Sequence, residues 1–111
     1  MSDPQRELAE LADGSGPAAE NARTALGDGV AATRLRAAIR ALARHRGPDS
    51  SMCPSDASRA IGGEGWRELN AKSRSIAIDL ARAGEVEITQ RGDAVDPDQP
   101  LRGPIRVRMK S

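Results

Sequence analysis

CPSDASRAIGGEGWRELNAKSRSIAIDLARAGEVEITQ, residues 53–90, runs through a short helix, a glycine-rich turn, a longer helix and the start of a strand. Proline suits the first helical position, so Pro54 makes Cys53 the N-cap and sets Asp56 near the positive end of the helix dipole. Ser55 is a competing cap. The helix is expected over Pro54–Ile61, with Ala57, Ala60 and Ile61 inward. Gly62-Gly63-Glu64-Gly65 then reverses the chain, because glycine accepts positive φ. The longer helix is expected over Arg67–Ala83, with Gly84 closing it at C′. Leu69, Ser73, Ile76, Ala77 and Leu80 share its core face, and Trp66 anchors its entry. Arg67, Glu68, Ala71, Arg74, Ser75, Ile78 and Arg82 occupy the other side.

Upstream, VAATRLRAAIRALARHR (residues 30–46) predicts another helix with Ala31, Leu35, Ala38, Ile39 and Leu42 on one face. Arg36, Arg40 and Arg44 recur every fourth residue beside that face. Like charges at this spacing repel unless something offsets them. Gly47-Pro48 ends the helix. Downstream, Val86 and Ile88 alternate with glutamates, and Ile105, Val107 and Met109 alternate with Arg106, Arg108 and Lys110. Facing Ile88 with Val107 puts Glu87 opposite Arg108 and Glu85 opposite Lys110, leaving Arg106 opposite Thr89. The order is α+β: a winged helix-turn-helix with a three-helix core and a C-terminal two-stranded β-wing. Residues 91–104 form a long loop between the strands. In it Arg91 and Arg102 are offset by Asp93, Asp96 and Asp98.

Residues 1–30 hold two basic and six acidic residues, while residues 31–111 hold fifteen basic and ten acidic ones. An acidic, Ala/Gly-rich stretch thus precedes a basic domain. Its helical patches, Pro4–Ala12 and Pro17–Leu26, are too short to stand alone in water, so a flexible tail is expected. Docking through Leu8 and Leu11 is the alternative. Such a tail could lie over the basic domain and compete with anions. Trp66 is the only aromatic residue, so the core must be aliphatic. No apolar run reaches the roughly 18 residues a membrane span needs. MSDPQRELAEL lacks signal-peptide features, and one cysteine makes no internal disulfide; a cytoplasmic protein is expected.

Several short segments carry a resemblance: Cys53-Pro54-Ser55, Arg59-Ala60, Trp66-Arg67, Val95-Asp96-Pro97 and Gly103-Pro104-Ile105-Arg106-Val107-Arg108. In that order they resemble a family of small bacterial winged-helix proteins catalogued as a domain of unknown function, over about residues 33–109. The resemblance implies the same three-helix core and wing, and it brings no catalytic or binding residue with it.

Catalysis has little to work with. Cys53 at a helix N-terminus could be activated, but His45 is the only histidine, and the two fall short of a zinc ligand set. The acids are dispersed. Neither an enzyme nor a cofactor is expected. Double-stranded DNA is the expected partner, in the manner of a transcriptional regulator, with the helix at about 67–83 facing it. The N-terminal residues of the second helix of a helix-turn-helix reach base edges, which nominates Arg67, Asn70, Ala71 and Arg74. Arg59, Lys72, Arg36, Arg40 and Arg106 would meet phosphates. The alternative is a winged helix that binds a protein partner or a second copy of itself, without DNA.

Overall fold

In the computed structural model, which describes residues 3–110, the chain runs α1 (Pro4–Ala12), α2 (Pro17–Leu26), α3 (Ala31–Arg46) and α4 (Pro54–Gly62). A 3-10 segment (Gly63–Leu69), α5 (Asn70–Arg82), β1 (Val86–Gln90), β2 (Asp93–Val95) and β3 (Arg106–Met109) complete it. The fold is α+β, with α3, α4 and α5 as the winged-helix core. Leu35, Ile39 and Leu42 of α3 are fully buried beside Ala57, Ile76, Leu80, Val86, Ile88 and Val107. Between α4 and α5 the hydroxyls of Ser58 and Ser73 bond each other at 2.7 Å, which satisfies both in the interior.

β1 and β3 pair antiparallel in the register the alternation predicts, Val86 with Met109, Glu87 with Arg108 and Ile88 with Val107. Arg108 Nε reaches Glu87 at 2.9 Å. The wing has more than two strands, however: Arg91-Gly92 turns the chain so that β2 pairs back on β1, and the sheet order is β2-β1-β3. On the free side of β3, Met52 exchanges two 2.8 Å backbone hydrogen bonds with Val107. Gly84, at φ +83, closes α5 as expected, with the Glu85 N–H reaching back to the Leu80 carbonyl.

The longer helix begins later than its pattern suggests. Residues 63–69 wind as a 3-10 segment with a non-helical Gly65, so Arg67 lies ahead of α5 rather than in its first turn. Gly62 permits this tight corner. A Cβ there would sit 2.9 Å from Trp66 Cβ and 3.0 Å from Leu69 Cδ1. Because Trp66 Cβ is fixed to the backbone, it cannot swing aside. Gly62→Ala is therefore expected to lower stability by about 1–3 kcal/mol in urea denaturation, as overpacking does.

The flexible tail expected over residues 1–30 is corrected for residues 3–30; residues 1 and 2 lie outside the described residues. Asp3 accepts from the Gln5 N–H to cap α1, and Pro4 and Pro17 open α1 and α2. Leu8, Ala22 and Ala25 are fully buried in the same core as α3. Two arginines close the helix ends. Arg23 Nε donates to the Ala12 carbonyl at 2.9 Å, and Arg34 Nε to the Ala25 carbonyl at 2.8 Å. Short helices gain their stability from packing: α1 and α2 pack on each other, and the pair docks through α2 on α3 and through α1 on α4 and α3. The acidic stretch is thus not free to drape over the basic surface.

An ion network fastens this hairpin. Arg46, near the end of α3, donates to Glu7 of α1 at 2.9 Å and to Asp56 of α4 at 3.1 Å. The three side chains are 15%, 13% and 9% exposed. Asp56 also accepts from the Cys53 N–H, which confirms Cys53 as the N-cap, and from Arg59. Burial pushes the Asp56 carboxyl up, but the Cys53 N–H, Arg59 and Arg46 outweigh it and hold it below its ordinary value. The hydrogen bonds it donates to Glu7 hold the Arg46 guanidinium above its ordinary value against burial, with the Glu7 and Asp56 charges adding to the effect.

Candidate nucleic-acid interface

The corner of the helix-turn-helix presents its cations around one ring. The Arg67 guanidinium lies 4.5 Å from the Trp66 ring centroid and that of Arg59 lies 5.9 Å from it. Stacking on tryptophan orients a guanidinium while leaving its N–H edge open. Arg67 is exposed and has no acceptor among the described residues. Arg59 is engaged by Asp56. Asn70 opens α5 half-buried, its Oδ1 enclosed without a hydrogen-bond partner among the described residues. Ala71 and Lys72 follow, both exposed.

Arg74 does something else. Its guanidinium donates to the Leu101 carbonyl at 2.7 Å and to the Gly103 carbonyl at 2.8 Å, lashing the wing loop to α5. Further along, Arg82 reaches Asp98 of that loop at 3.1 Å and Asp79 at 3.7 Å. The outer side of α5 is therefore a shallow groove of about 320 Å³ whose arginines already have partners. Ile78, placed on this side by its spacing, is half-buried and packs on the edge of the core. The pairing of charges along this groove leaves the N-terminal end of α5 as its cationic part.

The remaining nominated cations stand on other elements. Arg40 of α3 grips Glu85 with two hydrogen bonds of 2.9 and 3.0 Å, taking the glutamate that the strand alternation assigns to Lys110. Arg36 is half-buried on α3. Arg106 donates to Ser51 Oγ at 2.7 Å and to the Ser51 carbonyl at 3.0 Å. The structure thus brings together Arg67, Asn70, Ala71, Lys72 and Arg74, and it disperses Arg36, Arg40 and Arg106. It also assembles a group that charge counting conceals. Arg91 and Arg102 line a cleft of about 620 Å³ with Arg106, while Asp98 is drawn away to Arg82.

Cys53 Sγ accepts from the Ser55 hydroxyl at 3.0 Å, and the exposed His45 lines a separate groove against α1. Among the described residues there is no group of three or more His, Cys, Asp or Glu placed to hold a metal ion. Among the described residues no helix is long and apolar enough to cross a membrane.

A family model described as "Protein of unknown function (DUF3253)" matches residues 32–110, the span from α3 to the end of the wing. A search of the curated proteins finds no match.

Proposed function

The chain belongs to the family described as "Protein of unknown function (DUF3253)", and since membership assigns it no activity, we propose that it is a winged-helix DNA-binding protein. The observation that carries this reading is the cationic entry to α5, where Arg67 is stacked on Trp66 and Lys72 is exposed beside it. In a helix-turn-helix this end of the second helix enters the major groove. A regulator of transcription working in the cytoplasm is the role this fits.

Base readout is limited. Arg74 is occupied by the wing loop and Asn70 is half-buried, which leaves Arg67 as the group best suited to a guanine edge. Affinity then comes mainly from phosphates and falls steeply with salt. With about four phosphates neutralised, log affinity against log salt should have a slope of roughly −3.6.

Anisotropy titration of a labelled duplex with the full chain tests this at several salt concentrations. Arg67→Ala with Lys72→Ala should weaken binding and flatten the slope by about 1.8. These two positions suit the test better than Arg74, whose loss would free the wing loop. The tethering of Arg74 and Arg82 to that loop favours a second reading, a protein-interaction winged helix. Absence of duplex binding even at low salt would favour that one.

A further inference from the structure

The turn between β1 and β2 holds a residue in a costly conformation. Arg91 has φ +54 and is followed by Gly92 at φ +86. A two-residue hairpin loop with positive φ at both positions is the type I′ turn, which favours Asn-Gly. A side chain with a Cβ strains there, and asparagine suffers less than arginine. Arg91 is exposed and has no acceptor among the described residues, so its packing does not account for the strain. Backbone strain kept at an exposed charged residue points towards function.

What surrounds Arg91 is anion-seeking. Arg91, Arg102 and Arg106 line the 620 Å³ cleft with Gln90 and Asp93. Gln90 Nε2 donates to the Arg102 carbonyl at 2.7 Å, fixing the loop that carries Arg102. Arg106 is oriented by Ser51 and keeps part of its guanidinium for a ligand. Arg91 and Arg106 also border a smaller cleft of about 220 Å³ that contains Arg108, Ser50 and Asp49. The loop's other acids are occupied: Asp98 pairs with Arg82, and Asp96 Oδ1 accepts from the Asp98 N–H. Three guanidiniums therefore meet one carboxylate, that of Asp93.

We propose that the wing carries a phosphate-binding cleft in which Arg91, Arg102 and Arg106 receive the phosphodiester backbone of duplex DNA. This deepens the DNA-binding reading above and rests on it. Guanidinium forks match phosphate oxygens in bidentate geometry. The cleft adds a second contact to the one at the entry to α5, and Arg74, by lashing the wing loop to α5, fixes the two relative to each other.

Two measurements on the full chain test the cleft. In duplex titrations across salt, R91N should reduce affinity and make the slope shallower by about 0.9, and R91N/R102A by about 1.8. R91N restores the favoured turn pair and should melt above wild type, so its lost affinity cannot be assigned to unfolding. In parallel, pyrophosphate titrated into labelled protein should shift the Arg91 and Arg102 Nε–H resonances. An R91N/R102A slope equal to wild type, while R67A/K72A still weakens binding, overturns the cleft and leaves the DNA-binding reading standing. If wild type binds no duplex at low salt, that reading fails and pyrophosphate decides. Shifts confined to Arg91 and Arg102 then assign the cleft to a free phosphate ligand, and unmoved resonances overturn it.

Discussion

Arg46→Ala should lower the stability of the full chain by about 3–5 kcal/mol at pH 7, the cost of stranding buried carboxylates. Arg46 holds Glu7 and Asp56 at once, joining α1, α3 and α4, and all three side chains are at most 15% exposed. Urea denaturation followed by circular dichroism measures the loss; a cost below about 1 kcal/mol would mark the network as solvent-screened like a surface pair. Acid sharpens the test. Asp56 has a folded pKa below its ordinary 3.8, so its contribution is complete above that value and is lost as pH falls beneath it. Arg46 is held above its ordinary range and stays charged throughout, so it adds no pH dependence of its own to the acid limb. The gap between wild type and Arg46→Ala should therefore be widest near neutrality and shrink below about pH 4.

Leu8→Ala should cost about 2–5 kcal/mol, as removal of a fully buried leucine does when its surroundings cannot collapse. Leu8 has no exposed surface and lies in the same core as Leu35, Ile39 and Leu42. The substitution separates a docked helix from a tail outright, since a leucine in a disordered segment could be replaced at almost no cost. Hydrogen exchange gives the matching readout. Amides of α1 and α2 should be protected in wild type and lose protection first in the variant.

The sequence speaks most plainly of backbone periodicity and least of which long side chains reach from one element to another. Apolar spacing located α3 and α5, and Gly47 and Gly84 marked their ends. Strand alternation gave the pairing of Ile88 with Val107, because only one face of the wing can be apolar. The two N-terminal helical patches and the option of docking through Leu8 were legible, but not which option wins, because the deciding support comes from elsewhere: Arg46 is 39 residues from Glu7, and Arg23 and Arg34 reach back to the Ala12 and Ala25 carbonyls. The arginines misled for the same reason. A count of charge cannot foresee that Arg40 meets Glu85, 45 residues away, or that Arg74 serves two carbonyls of the wing loop. The β1–β2 turn escaped notice because arginine stands where asparagine would have announced it. The Arg-Gly pair between Gln90 and Asp93 was the available clue.

Trp66 is the chain's sole aromatic residue, and it sits at the corner of the helix-turn-helix between two guanidiniums. Indole fluorescence excited selectively therefore originates at that corner. A shift in emission wavelength or quenching on adding a ligand reports there and nowhere else. The protein thus comes with a built-in, single-position optical probe, and no dye needs to be attached to watch that part of it.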